Sequence, residues 1–288
     1  MRCLHAGHFR LFLDRPLVMG IINVTPDSFA DGGRFRRHQE AETHARRLLD
    51  EGADILDIGG ESTRPGAAPV SDEDELQRVI PLLERLADCG KPVSVDTRKP
   101  RVMQAAIAAG ATMINDVDAL RAPDALRTIA DSNVAVCLMH MQGQPPTMQQ
   151  APHYSDVVNE ISDFLAERIA ASRNAGIASE RLVVDPGFGF GKSLEHNLTL
   201  LRELARFASL GVPLLAGLSR KGMLGTLTGR TVDQRVPASV AAALAAASRG
   251  AAILRVHDVA ATVDALKVWL AAGLVPRADS GPATQSVT

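Results

Sequence analysis

Eight short apolar runs are spread along the chain, and each of them stops at polar residues. The runs cover residues 17–22, 55–60, 92–95, 112–114, 134–139, 182–184, 214–218 and 253–256. Strands of a parallel sheet that is covered on both faces have continuous apolar sequences of this kind. The polar residues after the runs have no use in such a core, so we expect them to gather at one end of the sheet as one site.

Segments with helical spacing of apolar residues separate the runs. They cover residues 38–51, 72–87, 99–109, 123–131, 155–175, 193–208, 237–248 and 258–272. Ser71 and Asp74 resemble a capping box before the second segment, and Asp258 is a candidate cap for the last. Eight strand–helix pairs in about 260 residues predict an α/β fold with a single (β/α)8 TIM barrel, which typically needs about 250 residues. A doubly wound open sheet is the alternative, although it rarely has eight such regular units.

Length and composition limit the classes of protein that the chain can belong to. With 288 residues and 46% apolar content, we predict one catalytic domain over residues 1–275 and a disordered tail over 276–288. A net charge of −2 gives little support for nucleic-acid binding. Three widely spaced cysteines form no disulfide framework, and no run reaches the length of a membrane helix. We therefore expect a cytoplasmic protein that contacts no membrane.

Active sites of barrels lie at the carboxyl ends of the strands and in the loops that follow. The candidate residues at these places are Asn23, Thr63, Arg64, Asp96, Asn115, Met139, Asp185, Lys221, Arg255 and His257. Asp96, Asn115 and Asp185 offer two carboxylates and an amide, which match the amino–amide edge of a flat heterocycle. The alternative is that each of these acids binds a neighbouring backbone N–H at the barrel end.

Basic residues end the last two runs, where barrel loops frequently bind phosphate. Ser219-Arg220-Lys221 follows the seventh run, and Arg255-Val256-His257 ends the eighth. Arg255 and His257 point to the same side of a strand, so together they suit a phosphate or pyrophosphate. The alternative is a surface ion pair between Arg255 and Asp258 or another acid.

Residues 185–193 resemble a phosphate loop but fit neither glycine motif. Pro186 stands where a Walker A loop needs glycine, and one residue instead of two separates Gly189 from Gly191. We predict a tight turn that presents Phe190 to a ligand, while Phe188 or Phe190 could instead belong to the core.

Residues 139–142 follow the fifth run and combine methionine with histidine. Met139 is expected to line a flat ligand because methionine adapts to irregular surfaces. His140 could equally be a hydrogen-bonded core histidine, so we assign it no catalytic role.

Eight motifs, in order, make the chain resemble the dihydropteroate synthase family. They occupy residues 20–29, 57–66, 94–97, 114–117, 138–143, 185–191, 217–221 and 255–258. The resemblance implies a transferase of folate biosynthesis that condenses 6-hydroxymethyl-7,8-dihydropterin diphosphate with para-aminobenzoate. The products would be 7,8-dihydropteroate and pyrophosphate, and sulfonamides would compete for the aminobenzoate site. A homodimer is also implied.

The same likeness implies a role for each candidate residue. The pterin would be held by Asp96, Asn115, Asp185 and Lys221, and flanked by Met139 and Phe190. The diphosphate would be held by Asn23, Arg255 and His257, with Mg²⁺ near Asn23. The aminobenzoate side would be lined by Thr63, Arg64, Ser219 and Arg220. Catalytic roles are expected for Lys221, Arg64 and Asp96, in a dissociative displacement covered by loops 24–37 and 64–70.

Three other functions are compatible with parts of the sequence. A Schiff-base aldolase on the same barrel would use Lys221 as its nucleophile and would need a lowered lysine pKa. A pterin-binding methyltransferase module would need a methyl-acceptor partner and has less use for Arg255 and His257. A pterin-binding protein without activity is the third, and a turnover assay would separate it from an enzyme.

Overall fold

The computed structural model describes residues 2–24, 34–62, 68–145 and 147–273, with the side chains of the first helix described from residue 38. The predicted tail, Thr63, Arg64 and most of loops 24–37 and 64–70 lie outside these ranges. An antiparallel hairpin, β1 (Cys3–Ala6) and β2 (Phe9–Phe12), begins the described chain. The parallel strands are β3 (Leu17–Asn23), β4 (Ile55–Gly59), β5 (Val93–Asp96), β6 (Met113–Asp116), β7 (Ala135–Met139), β8 (Leu182–Asp185), β9 (Leu215–Ala216) and β10 (Ile253–Val256).

These eight strands form a barrel. They pair in the order β8-β7-β6-β5-β4-β3-β10-β9, and every pairing is parallel. A parallel bridge between Val184 and Leu214 joins the two ends of the sheet, and the Val184 N–H donates to the Pro213 carbonyl at 3.0 Å. The predicted (β/α)8 barrel is therefore confirmed, and the open doubly wound alternative is excluded.

Helices follow the strands as the apolar spacing predicts, with bounds that shift by a few residues. They are α1 (Arg34–Asp50), α2 (Asp72–Arg85), α3 (Pro100–Ala108), α4 (Ala125–Ala130), α5 (Val157–Asn174), α6 (Leu194–Arg202), α7 (Gly222–Thr228), α8 (Val236–Ala247) and α9 (Val259–Ala271). The predicted segment 193–208 is divided between α6 and a 3-10 helix at Leu204–Leu210. None of the helices in the described ranges is long and apolar enough to cross a membrane.

Helix α7 and the β1–β2 hairpin have no counterpart in the sequence prediction. Helix α7 contains Gly222 and Gly225, and glycine is a weak helix former, so its helical pattern is faint. The hairpin β1–β2 sends Leu4 and Ala6 onto the apolar residues inside the barrel, among them Met19, and all three are buried. The hairpin therefore fills the amino-terminal end of the barrel lumen and leaves the polar residues at the carboxyl-terminal end, which we call the barrel mouth.

The two predicted helix caps have different outcomes. The Ser71 Oγ accepts a hydrogen bond from the Asp74 N–H at 3.1 Å, so this cap of α2 is confirmed. Asp258 occupies the N-cap position of α9, but its carboxylate makes no capping hydrogen bond and binds the Arg220 guanidinium instead. A charged partner competes successfully with the backbone N–H groups for this carboxylate.

Replacing Gly187 with alanine is expected to lower the free energy of unfolding far more than Gly211→Ala. Both glycines have a positive φ, +71° and +74°, which costs an L-residue about 1–2 kcal/mol. An alanine Cβ at Gly187 would overlap the His140 carbonyl oxygen, whereas a Cβ at Gly211 would meet no atom within 4 Å. Urea unfolding of both variants measures the difference, and equal losses would contradict this close approach of the two loops.

Candidate active site

Polar side chains fill the carboxyl-terminal half of the barrel lumen. Alternate residues of a strand point to the same face, so each strand sends every second side chain inward. Near the mouth these inward residues are Asn23, Asp57, Ser94, Asp96, Asn115, Asp185 and Arg255. The barrel therefore brings into one lumen five of the residues that the sequence predicts: Asn23, Asp96, Asn115, Asp185 and Arg255.

Direct contacts link four of the seven inward residues. We call these four, Asp57, Asp96, Asn115 and Arg255, the lumen cluster. The Arg255 Nε donates to Asp57 Oδ2 at 2.6 Å, and its Nη2 donates to Asp96 Oδ2 at 2.7 Å. The Asn115 Nδ2 donates to the same Asp57 oxygen at 3.3 Å. Arg255 is therefore paired with two inward carboxylates.

The alternative prediction, a surface ion pair of Arg255 with Asp258 or another acid, is correct that acids pair with Arg255 but wrong about Asp258 and about the surface. Asp258 pairs with Arg220 on the loop after β9, and the Arg220 Nε donates to Asp258 Oδ2 at 3.0 Å. Arg255 points into the lumen from β10, where Asp57 and Asp96 neutralise its charge.

Asp57 is a site residue that the sequence analysis missed. Its side chain is 0% exposed, and it is separated from Arg255 by 198 residues of chain. Asp57 lies inside an apolar run, whereas the predicted residues, except Arg255, lie where the runs end or in the loops that follow. The available signal is a single carboxylate within a buried strand, which needs a partner in the fold because an unpaired buried charge is costly.

A second group of residues lies beside the lumen cluster on the loops after β8 and β9. Asp185 accepts a hydrogen bond from the Gly187 N–H at 2.7 Å. The Lys221 Nζ donates to the Phe188 carbonyl and lies 4.3 Å from the centre of the Phe190 ring. Phe188 is fully buried core, so Phe190 is the aromatic residue that can contact a flat ligand. Phe190 packs against an apolar cluster of Val117, Met139, Met141 and Met148.

His140 and Lys192 are buried residues that contact the loop after β8, which carries Phe190. The Lys192 Nζ lies 3.1 Å from the His140 Nδ1 and donates to the Phe190 carbonyl at 2.9 Å. Burial, together with the nearby Lys192 charge, lowers the pKa of His140 to about 3. A neutral and buried histidine that contacts Lys192 is consistent with a structural role for His140.

Burial sets the protonation of the ionisable groups in the lumen. It raises the pKa of Asp96 to about 7, although the Arg255 charge acts in the opposite direction. Burial also raises the pKa of Asp185, which Lys221 partly offsets. Lys221 itself has a pKa lowered to about 8 by burial, against the attraction of Asp185. Asp96 can therefore gain or lose a proton near neutral pH.

A cavity of about 710 Å³ opens beside the lumen, between α1 and the start of α9. Its lining includes Asn23, His257, Arg220, His44 and Arg47. Its lining also includes Glu51 and Asp258, which pair with Arg47 and Arg220. The amino terminus of α9 is therefore the feature of this cavity that most favours an anion.

The basic residues at this cavity are held in place by their neighbours. The Ser219 Oγ accepts a hydrogen bond from the His257 N–H at 3.1 Å and lies 3.0 Å from the His257 Nδ1. The Asp258 carboxylate binds the Arg220 guanidinium, as described above. The structure therefore brings Ser219, Arg220 and His257 to one side of the mouth.

Comparison with known proteins gives matches over most of the chain. The family model described as "Pterin binding enzyme" matches residues 19–257. The dihydropteroate synthase of Neisseria meningitidis serogroup C is 54% identical over 274 residues, which is 93% of this chain and 97% of that protein.

Two solved structures from Xanthomonas albilineans have the same fold. The dihydropteroate synthase with 4-aminobenzoic acid has a TM-score of 0.90 at 60% identity, and the match covers 95% of this chain and 99% of that one. The enzyme in complex with 7,8-dihydropteroate has a TM-score of 0.87 at 58% identity, and the match covers 95% and 100%.

The raised pKa of Asp96 predicts how Asp96→Asn changes the dependence of stability on pH. Between its ordinary pKa of 3.8 and about 7, the folded wild-type protein holds a proton on Asp96 that the unfolded chain has lost. The unfolding free energy of the wild type should therefore fall as pH rises, relative to the variant, by roughly 1.4 kcal/mol for every pH unit crossed in that window. Urea unfolding between pH 4 and 8 measures this difference, and parallel curves would contradict it.

Proposed function

Because the chain belongs to the pterin-binding enzyme family, and within it to the dihydropteroate synthases, we propose that its barrel mouth is where their reaction takes place. The chain is a transferase of folate biosynthesis, which condenses 6-hydroxymethyl-7,8-dihydropterin diphosphate with para-aminobenzoate to give 7,8-dihydropteroate and pyrophosphate. The observation that supports this location is the meeting of the lumen cluster with Asp185 and Lys221 in one buried polar lumen.

The lumen suits the pterin ring. The amino–amide edge of the ring presents adjacent N–H donors, for which the carboxylates of Asp96 and Asp185 are suitable acceptors. Met139 and Phe190 lie together at the edge of this lumen and would contact the ring face. The Lys221 ammonium beside Phe190 would donate to the ring carbonyl.

The neighbouring cavity suits the diphosphate. Asn23 and His257, which the resemblance assigns to the diphosphate, both line it. The resemblance assigns Arg255 to the same group, but two of its nitrogens already bind Asp57 and Asp96. We therefore propose that Arg255 contacts the ligand where the pterin meets the diphosphate, and that the cavity holds the outer phosphate.

Magnesium would be bound mainly by the substrate. Mg²⁺ in such sites usually keeps several waters and uses one or two protein ligands together with substrate phosphates. The described part of the chain has no cluster of three or more histidine, cysteine or acidic side chains that could hold a metal ion. The side-chain oxygen of Asn23 lies near Gly59, and the Asp96 side chain lies near the same glycine. One amide oxygen together with a diphosphate fits this donor set. Bound there, Mg²⁺ would neutralise charge on the leaving group.

The aminobenzoate is proposed to enter on the side of Ser219 and Arg220, with Thr63 and Arg64. Thr63 and Arg64 lie outside the described residues, so their roles depend on the sequence resemblance. The Arg220 guanidinium is held by Asp258, which fixes its position at the cavity. Sulfonamides would compete on this side.

We also propose a homodimer that involves α8, on the basis of the family resemblance. Analytical ultracentrifugation tests whether the chain forms a dimer.

The proposed chemistry is dissociative. Positive charge would develop on the exocyclic methylene of the pterin as the diphosphate leaves. His257 and the amino terminus of α9 at the cavity would stabilise the departing anion. The aniline nitrogen needs no strong base to attack such a cation, so the protein mainly positions the reactants. The lowered pKa of Lys221 would also suit the Schiff base of an aldolase, but the family to which the chain belongs favours a pterin contact.

An assay of pyrophosphate release tests the function, because release should require both substrates. Lys221→Met tests whether the reaction takes place at the barrel mouth. Loss of one charged hydrogen bond to the pterin should lower kcat/KM for the pterin diphosphate about 10- to 100-fold. Lys267→Met is the matched control, because Lys267 is exposed on α9 and pairs with Asp264. Release without aminobenzoate would contradict the function, and equal activities of the two variants would contradict the location.

A further inference from the structure

The sequence prediction gives no role to Asp57, although the carboxylate lies at the centre of the lumen cluster. We infer that Asp57 is a positioning residue that orients Arg255 and Asn115 toward the pterin without touching the substrate itself. This inference rests on the proposed function, because it concerns the same lumen. Its basis is the pair of contacts from one Asp57 oxygen to Arg255 and Asn115.

The contact with Asn115 fixes which end of its amide faces the ligand. A carboxylate only accepts hydrogen bonds, so the Asn115 NH₂ group must point to Asp57. The amide oxygen then points away from Asp57 and is available to accept a hydrogen bond from a ligand. Without the Asp57 charge, the amide could rotate and present its donor instead.

The contact with Arg255 fixes the plane of the guanidinium. This group is rigid and planar, so bonds from Nε to Asp57 and from Nη2 to Asp96 define its orientation. The remaining corner of the guanidinium, Nη1, is the one that a ligand can use. Asp57 therefore acts on the substrate through Arg255.

The burial of Asp57 argues against a purely structural role. Its Oδ1 and the Oγ of Ser94, its partner in the strand register, are buried without a hydrogen-bond partner among the described residues. An incompletely satisfied buried carboxylate is costly, and apolar side chains in place of a buried ion pair are often as stable or more so. A charge at this place is better explained by its effect on neighbouring groups.

The pH dependence of activity gives a readout that stability alone would not move. The charged groups that act on Asp96 include Arg255 on β10, Asp57 on β4, Asp116 on β6, Glu75 on α2 and Lys221 after β9. The Asp57 charge raises the pKa of Asp96, and its removal also leaves Arg255 to pair with Asp96 alone. Both effects lower the pKa of Asp96, so the acid limb of kcat/KM should move to lower pH.

Asp57→Asn tests the inference, with Asp54→Asn as the matched control. Asp54 also pairs with an arginine, Arg15, at 2.7 and 2.9 Å, but it lies before β4, away from the mouth. We expect Asp57→Asn to lower kcat/KM for the pterin diphosphate about 100-fold, with little change in the KM for aminobenzoate. Asp54→Asn should change stability only.

Calorimetric binding of 6-hydroxymethylpterin separates this inference from the proposed function, since it needs no turnover. Asp57→Glu, which keeps the charge but moves the carboxylate by one methylene, serves if Asp57→Asn does not fold. Weaker pterin binding by a folded Asp57 variant supports positioning. Wild-type pterin affinity and an unshifted pH profile would overturn it, whereas a wild-type protein that binds pterin without turnover would overturn only the proposed function.

Discussion

The barrel mouth depends on one partly buried arginine held between two carboxylates. Arg255 joins β10 to β4 through Asp57 and to β5 through Asp96, with contacts of 2.6 and 2.7 Å. The two carboxylates are 198 and 159 residues away from Arg255 in sequence. Removing one partner of such a pair leaves an uncompensated buried charge, which is strongly destabilising. The ion pairs therefore fix the relative positions of three strands at the point where the substrate is proposed to bind.

The apolar half of the lumen controls the chemistry of the polar half. The β1–β2 hairpin and the inward residues of the strands fill the amino-terminal end. Burial next to this apolar layer raises the pKa of Asp96 to about 7 and lowers the pKa of Lys221 to about 8. Hydrogen bonds and charges act more strongly in such a medium than in water. The fold thus supplies a site in which few charged groups have large effects.

Apolar runs and their polar ends are sufficient to predict the barrel and part of the site. Asp96 and Asp185 end their strands, and Asn115 lies one residue before the end of β6. Parallel strands bring these ends together, so the convergence of the three residues follows from the sequence. The choice of ion-pair partners does not, because it depends on side-chain reach across the lumen. Arg255 binds Asp57 instead of Asp258, which is much nearer in sequence. Asp57 itself is hard to predict because its position within an apolar run resembles that of any core residue.

Calorimetric titration of Arg255→Met with 6-hydroxymethylpterin tests directly whether the ion pairs of Arg255 shape the pterin site. Without the guanidinium, Asp57 and Asp96 lose their shared partner, and the pterin pocket loses its shape and charge balance. We predict an affinity about 100-fold or more below that of the wild type. If the variant still unfolds cooperatively and binds the pterin with unchanged affinity, the Arg255 ion pairs do not organise the pterin site.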